Sequence, residues 1–279
     1  MKYREFLRTS LKDQVPSDIP LPSGYHLVGH VALLHVDSGL EPHFRLLGEA
    51  TLRYDRRIES VAVKTGATTG VMRVPDYTLV AGKSDTVTTH VENGVKFRLD
   101  PTRVTFSGGN RGERSHMASI VQPGEYVLDM FACIGQFALP MAKKKQVRVK
   151  AIELNSEAYK FLINNIRLND LDDLVEAIHG DCRVVHPVHS VNRVIMGYLH
   201  DTQHFLPHAL EALVAEGGTV HMHIALPDKE VDILMRDVED LCSSKGFISG
   251  VSIRGIKWYA PGVRHFVLDI KVVQSLDDD

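Results

Sequence analysis

The sequence predicts an α/β protein: a mostly parallel, doubly wound sheet with an antiparallel last strand, preceded by a small α+β domain. Two observations carry this. After about residue 115, short apolar runs alternate with segments of helical spacing, as they do when crossover helices lay strands parallel. Before about residue 100 the segments are short and mixed. The expected division is therefore 1–100, an N-terminal α+β domain, and 101–279, the sheet domain.

In the first part, His26 to Val36 reads as one strand. Glu41 to Tyr54 has helical spacing through Phe44, Leu47 and Leu52, and Ile58–Lys64 and Tyr77–Ala81 read as strands. Thr86 to Leu99 is expected to be a hairpin, because Asn93-Gly94 supplies the two residues of a tight turn. In the second part, Tyr126–Leu128 is an apolar run ended by Asp129, and Val149–Leu154 is a second one carrying Glu153. Asn155 or Ser156 caps a helix to about Asn169, with Ala158, Phe161, Leu162 and Ile166 on one face. Leu174–Ile178 is the next strand, ending at Gly180-Asp181, and Arg193–Met196 is the fourth. A helix is predicted from about Asp201 to Glu216, closed by Gly217-Gly218. Thr219–Ala225 follows as a strand and Lys229–Lys245 as a helix. Val251–Trp258 and His265–Val273, joined through Pro261-Gly262, predict a final antiparallel pair. The acidic tail Asp277–Asp279 reads as frayed.

With 44% apolar residues the chain can bury a full core, and no apolar run approaches the ~18–20 residues of a membrane span. The start, Met1-Lys-Tyr-Arg-Glu-Phe6, has no apolar signal-peptide core. Three cysteines without a C-x-x-C predict reduced thiols and an intracellular, cytoplasmic protein. A net charge of −3 argues against a globally basic nucleic-acid coat, though not against a local basic face.

The most informative stretch is Tyr126-Val-Leu-Asp-Met-Phe-Ala-Cys-Ile-Gly-Gln-Phe137 followed by Val149-Lys-Ala-Ile-Glu-Leu154. Strand, tight loop, helix and a second strand tipped by an acid make a nucleotide-binding βαβ unit. Gly135 lets the backbone pass close to a ligand, since no Cβ is in the way. Glu153 is placed to accept both hydroxyls of a ribose. The single glycine departs from the G-x-G-x-x-G that cradles a pyrophosphate, and fits S-adenosylmethionine better. Ligands of doubly wound sheets bind beyond the C-terminal strand ends. Asp129, Glu153, Asp181 and Met196 are all expected there.

Other groups have plainer readings. His200, His204 and His208 stand at i, i+4 and i+8, a spacing zinc ligands can use. Pro207 interrupts them and no Cys or carboxylate completes a set, so a polar face and no metal are expected. His221 and His223 share one face of a strand, as half-buried histidines with satisfied hydrogen bonds. Cys133 and Cys182 have no activating base at fixed spacing and read as small buried thiols. Lys143-Lys-Lys145 with Arg148 complements a helix C-terminus. Arg103, Arg111 and Arg114 flank Ser107-Gly-Gly-Asn110, a polar loop expected to be flexible and able to close on a ligand.

Several of these segments together resemble a known family. They are Val91-Glu-Asn-Gly-Val-Lys-Phe97, Phe106-Ser107, Asn110 to Arg114, Asp129-Met-Phe-Ala-x-Ile-Gly135, Ala151-Ile-Glu153, Asn164-Asn-Ile-x-Leu-Asn169, Lys257-Trp-Tyr-Ala-Pro-Gly-Val263 and His265-Phe-Val-Leu-Asp269. They look like the group that modifies the purine 3′ of the tRNA anticodon: the tRNA guanine-N1 methyltransferases and their relatives, the wybutosine-synthesising aminocarboxypropyltransferases. The methyltransferases carry an Asn-Pro-Pro type motif after the fourth strand, whose amide and carbonyl oxygens hold a nitrogen nucleophile. This chain has Met196-Gly197-Tyr198-Leu199 there, similar to the archaeal aminocarboxypropyltransferase branch.

The resemblance implies a class I methyltransferase-like Rossmann fold, S-adenosylmethionine as co-substrate, tRNA-Phe as partner, and no obligate protein partner. It also implies transfer of the 3-amino-3-carboxypropyl group to C7 of 4-demethylwyosine at position 37, releasing methylthioadenosine. Carbons on the cofactor's sulfonium compete, and orientation selects among them. By the same resemblance, Ser107, Arg114, Glu153, Asp181 and Cys182 match cofactor contacts, with Arg114 placed to neutralise the moving carboxylate. The fold argument adds Asp129 and Gly135. Met196, Gly197 and Tyr198 are the positioning candidates, and no catalytic base is identified. Cys133 stands where relatives often have Gly, which would narrow the loop. The first domain is expected to position tRNA, with Arg53, Arg56, Arg57 and Lys64 as phosphate contacts, although a solvated helix end is the simpler reading. A guanine-N1 methyltransferase and a non-catalytic RNA-binding module remain as alternatives. The first would release S-adenosylhomocysteine, and the second would turn nothing over.

Overall fold

The computed structural model describes residues 1–275; the tail Asp277–Asp279, expected to fray, lies outside them. The chain forms two units, Met1–Gly109 and a second that begins at Asn110.

The first unit holds α1 (Tyr3–Ser10), β1 (His26–Val28), β2 (Val31–Leu34), α2 (Phe44–Tyr54), β3 (Ser60–Lys64), β4 (Tyr77–Gly82), β5 (Thr88–Glu92) and β6 (Val95–Leu99). β1 to β4 form one sheet in chain order, with β2 and β3 parallel across α2 and the other pairs antiparallel. Leu7, Leu34, Leu47, Ala50, Val61 and Val63 are its buried core. His26 to Val36 is two strands rather than one. The chain reverses at Gly29-His30, where the His30 N–H donates to Thr88 Oγ1 at 3.1 Å. β5 and β6 are the expected hairpin about Asn93-Gly94.

The second unit holds α3 (Arg111–Ile120), β7 (Tyr126–Asp129), α4 (Ala138–Lys145), β8 (Arg148–Glu153), α5 (Ser156–Leu168), β9 (Val175–His179), α6 (Cys182–Val185), β10 (Arg193–Leu199), α7 (Leu206–Ala212), β11 (Gly217–Leu226), α8 (Val231–Ser244), β12 (Phe247–Ala260) and β13 (Val263–Gln274). The sheet order is β12-β13-β11-β10-β7-β8-β9. β9, β8, β7, β10 and β11 are parallel, while β13 is antiparallel to both β11 and β12. This is the Rossmann arrangement the resemblance implied. The strand order reverses between β7 and β10, which places a crevice beyond their C-terminal ends.

Four local expectations are corrected. Met196 lies inside β10, which pairs with β11 as far as Leu199 after an irregularity beyond Met196. The helix expected over 201–216 is a 3-10 turn, Thr202–Phe205, followed by the short α7. Pro207 sits in the first turn of α7, where its missing N–H breaks no helical bond. Gly217-Gly218 open β11 instead of closing a helix. The Ser107–Asn110 loop is in part a 3-10 turn, Gly108–Asn110, that runs into α3. Among the described residues no helix is long and apolar enough to cross a membrane.

Candidate active site

The loop from β7 to α4 is fixed by its neighbours. Met130 N–H donates to Ile195 O and Ala132 N–H to Ile152 O, so the chain leaves β7 tied to both flanking strands. Asn165, fully buried on α5, donates its side-chain amide to Ile134 O at 3.1 Å. Gly135 has φ +92, and a Cβ there would overlap the Leu139 side chain at 2.7 Å. Cys133 takes φ +51, a left-handed conformation that favours glycine. The Cys133 backbone is held there at a conformational cost.

Two acids meet at this loop. Asp129 ends β7 with no exposed surface. Its Oδ1 accepts the Phe131 N–H at 3.3 Å, and its buried Oδ2 has no hydrogen-bond partner among the described residues. Burial pushes its pKa up to about 7; the Phe131 amide opposes this and the Glu153 charge adds to it. Glu153 ends β8, with Oε2 accepting the Cys133 N–H at 2.7 Å and Oε1 the Asn155 N–H at 2.6 Å. Burial raises its pKa against those two amides. Each carboxylate oxygen can accept a second hydrogen bond. An orphaned buried oxygen beside a carboxylate with spare lone pairs fits a ligand that brings hydroxyl or ammonium donors, as S-adenosylmethionine does. The Cys133 and Cys182 thiols are shifted up by burial, Cys182 to about 12, so neither is a thiolate nucleophile at neutral pH.

Asp181 caps α6 by accepting the Arg183 N–H at 2.9 Å, and its carboxylate also takes the Arg183 guanidinium through Nε and Nη2. Those bonds hold its pKa below the usual carboxylate range. Arg183 in turn lies over the Phe205 ring, 5.4 Å from its centroid. The Asp181–Arg183 pairing has no signal in the sequence beyond proximity.

The exit of β10 carries the three positioning candidates, Met196, Gly197 and Tyr198. Met196 is fully buried in the core with Leu128, Leu206 and Met222, so its side chain packs the sheet. Gly197 lies against Phe137; a Cβ there would stand 3.1 Å from that ring. Tyr198 is half-buried and stacks on Phe131 at 5.1 Å, with Phe205 edge-on to Phe131 at 5.0 Å. This aromatic cluster escaped the sequence reading, because Phe131 and Phe205 are brought to Tyr198 only by the parallel pairing of β7 and β10.

Arg114, on α3, is 1% exposed and donates to Gln136 Oε1 at 3.3 Å, in the same loop as Cys133. Ser107 belongs to the first unit and is half-buried. Beside Arg114, Glu113 starts a buried ionic chain. Arg254 donates to Glu113 at 2.7 Å and to Asp269 at 2.6 Å, His221 Nδ1 donates to Asp269 Oδ1 at 2.6 Å, and Arg193 donates to His221 Nε2 and to Glu125. His221 thus has both nitrogens satisfied, as expected. His223 differs: its Nδ1 is 3.1 Å from His265 Nε2, but its Nε2 and His265 Nδ1 have no partner among the described residues.

Of the expected phosphate contacts, Arg57 is committed to Asp55 through a guanidinium–carboxylate pair at 2.7 Å. Arg53 and Arg56 are exposed, and Lys64 is half-buried. The β12–β13 hairpin adds residues the sequence reading did not single out as RNA contacts. Trp258 is 63% exposed and Tyr259 42%, with the Arg264 guanidinium 4.6 Å from the Trp258 ring centroid.

Comparison with known proteins gives this geometry a family. The profile of the TRM5/TYW2 methyltransferase domain matches residues 88–248, and that of the TYW2 N-terminal domain matches residues 4–86. A relative from Pyrococcus horikoshii, tRNA(Phe) (4-demethylwyosine(37)-C(7)) aminocarboxypropyltransferase, is 36% identical over 96% of this chain and 97% of its own. The crystal structure of P. horikoshii TYW2 in complex with MeSAdo superposes with a TM-score of 0.85 at 34% identity, covering 98% of this chain and 100% of that one. The complex structure of aTrm5 and tRNALeu has a TM-score of 0.83 at 28% identity, covering 97% and 78%. The chain belongs to the TRM5/TYW2 family.

Proposed function

We propose that this enzyme transfers the 3-amino-3-carboxypropyl group of S-adenosylmethionine to C7 of 4-demethylwyosine at position 37 of tRNA-Phe. One observation carries the choice within the family: the β10 exit presents Gly197 under Phe137 and a stacked Tyr198, so positions 197 and 198 bring no amide of their own to a ring nitrogen. The near full-length match to the P. horikoshii aminocarboxypropyltransferase supports the same reading.

When bound, S-adenosylmethionine supplies an activated carbon and a neutral thioether leaving group. The chain's residues then have positioning roles. Glu153 accepts the ribose hydroxyls on the lone pairs its two amide donors leave open. Asp129 Oδ2 gains the partner it lacks. Asp181 and the Cys182 backbone face the adenine, with Asp181 sharing its carboxylate between the adenine amino group and Arg183. Gly135 keeps the loop clear of a Cβ. Arg114 sits by the amino-acid chain, where the buried guanidinium neutralises the moving carboxylate. Tyr198 and Phe131 offer a flat apolar wall to the acceptor base.

tRNA is the macromolecular substrate in this reading. The exposed Trp258, backed by Arg264, is a stacking platform for a base. Arg53, Arg56 and Lys64 in the first unit contact phosphates, with Arg57 contributing little while Asp55 holds it. The test is mass spectrometry of the nucleoside and the coproduct after incubation with S-adenosylmethionine and 4-demethylwyosine-containing tRNA-Phe. Methylthioadenosine and a base heavier by the aminocarboxypropyl group are expected. S-adenosylhomocysteine and a methylated base would make the chain a methyltransferase.

A further inference from the structure

The line of histidines at 200, 204 and 208 does not exist as one helix face. The His200 ring meets Tyr259 Oη at 2.9 Å, His204 lies in a 3-10 turn, and His208 lies on α7. The fold instead brings His208 to His186, the residue that ends α6, with ring centroids 5.0 Å apart. Glu211, one turn after His208 on α7, completes a trio. One ligand atom each from His186, His208 and Glu211 lies within 4.8 Å of the others.

We propose that this trio binds a divalent transition-metal ion, zinc in the first instance, as a staple between α6 and α7. The hydrogen bonding of His186 argues for a cation there. Its Nδ1 stands 2.9 Å from the Cys182 carbonyl, which can only accept, so Nδ1 carries the hydrogen. In the neutral ring Nε2 is then a bare lone pair, and it faces Glu211 Oε2, another acceptor, at 3.1 Å. Two acceptor atoms face each other at this distance only when a proton or a metal ion lies between them. A proton on His186 meets that need for two of the residues, while a metal ion meets it for all three. The backbone carbonyl behind Nδ1 is the outer contact that metal-binding imidazoles ordinarily have. Ligands around tetrahedral zinc stand about 3.3 Å apart. His186 and Glu211 are already near that separation, and Glu211, with its side chain 51% exposed, is free to close the rest. Two imidazoles and one carboxylate suit zinc and its neighbours rather than calcium or magnesium. A water would fill the fourth position. The site lies behind the Asp181–Cys182 corner, so it stiffens that corner and takes no part in group transfer. It stands whichever group the enzyme transfers.

The test uses the full chain stripped with EDTA, titrated with zinc, and assayed by calorimetry and by metal content after gel filtration. One tightly held equivalent is expected, with Tm rising by about 5 °C at a hundredfold excess over Kd. His208→Ala and His186→Gln should each lose that equivalent and the Tm response, while His204→Ala retains both. Should either variant fold poorly, cobalt(II) added to the wild type gives a second readout: intense visible bands of a tetrahedral site support the proposal. Failure of the wild type to bind zinc with a micromolar or lower Kd, or equal zinc uptake by the folded His186→Gln/His208→Ala double variant, would overturn it. The first result would leave a simple imidazolium–carboxylate pair.

Discussion

Asp129 and Asp269 are two acids in strands of one sheet, and they are treated in opposite ways. Burial raises the pKa of both. At Asp269 hydrogen bonds from His221 and Arg254 overcome it and hold the carboxylate well below its usual range. At Asp129 the Phe131 and Ala138 amides oppose burial without overcoming it, one oxygen has no partner among the described residues, and the pKa rises to about 7. A saturated acid serves the fold, and an acid left short of donors is available to a ligand. The same contrast separates Glu113, paired with Arg254, from Glu153, whose two backbone partners leave acceptor capacity open.

The largest effect that would break this contrast is on stability. Asp269→Ala strands His221 and Arg254, and should cost about 3–5 kcal/mol of unfolding free energy, as loss of a buried ionic partner does. Urea unfolding measures it. Glu153→Ala should weaken S-adenosylmethionine by roughly 10²-fold or more, as expected from losing two hydrogen bonds to a charged acceptor. Glu153→Gln, which keeps an acceptor for one loop amide, should lose less, and calorimetric titration ranks the two. pH separates the acids by sign. Asp129, with its folded pKa raised, contributes stability that is fully present below about pH 4 and is lost as pH rises through about 7. Asp269, with its folded pKa depressed, contributes stability present above about pH 4 and lost as pH falls below it. Asp129→Asn should therefore flatten the decline from pH 4 to 7, leaving the smaller part due to Glu153, and should leave the acid limb intact. The smallest effect is Gly197→Ala. Its Cβ needs Phe137 to move by a few tenths of an ångström, so activity should fall only severalfold and stability by less than about 1.5 kcal/mol.

The sequence made the ligand side of this contrast readable and the saturated side invisible. Asp129 and Glu153 follow apolar strand runs at βαβ spacing, so local order alone placed them at one crevice. The Asp269 chain links Glu113, Glu125, Arg193, His221 and Arg254, which come from four elements and the turn before β7 and meet only once the sheet is assembled. The same reason hid Phe131 against Tyr198, and His186 beside His208. Local errors had local causes. Gly29 reversed a run whose apolar pattern looked continuous, and Gly217-Gly218 began a strand where helix-stop chemistry was also satisfied. Met196 was placed at a strand end because an apolar run stops there, whereas β10 resumes its pairing with β11 at Leu199 after a register shift.

The most direct test is the affinity of S-adenosylmethionine for Asp129→Asn beside the wild type, titrated at pH 6 and pH 8. If the ionised Asp129 accepts a ligand donor, wild-type affinity rises with pH, and the variant binds about tenfold more weakly at pH 8 with little loss of stability. Equal affinity in the two proteins at both pH values would contradict the assignment of Asp129 to the ligand.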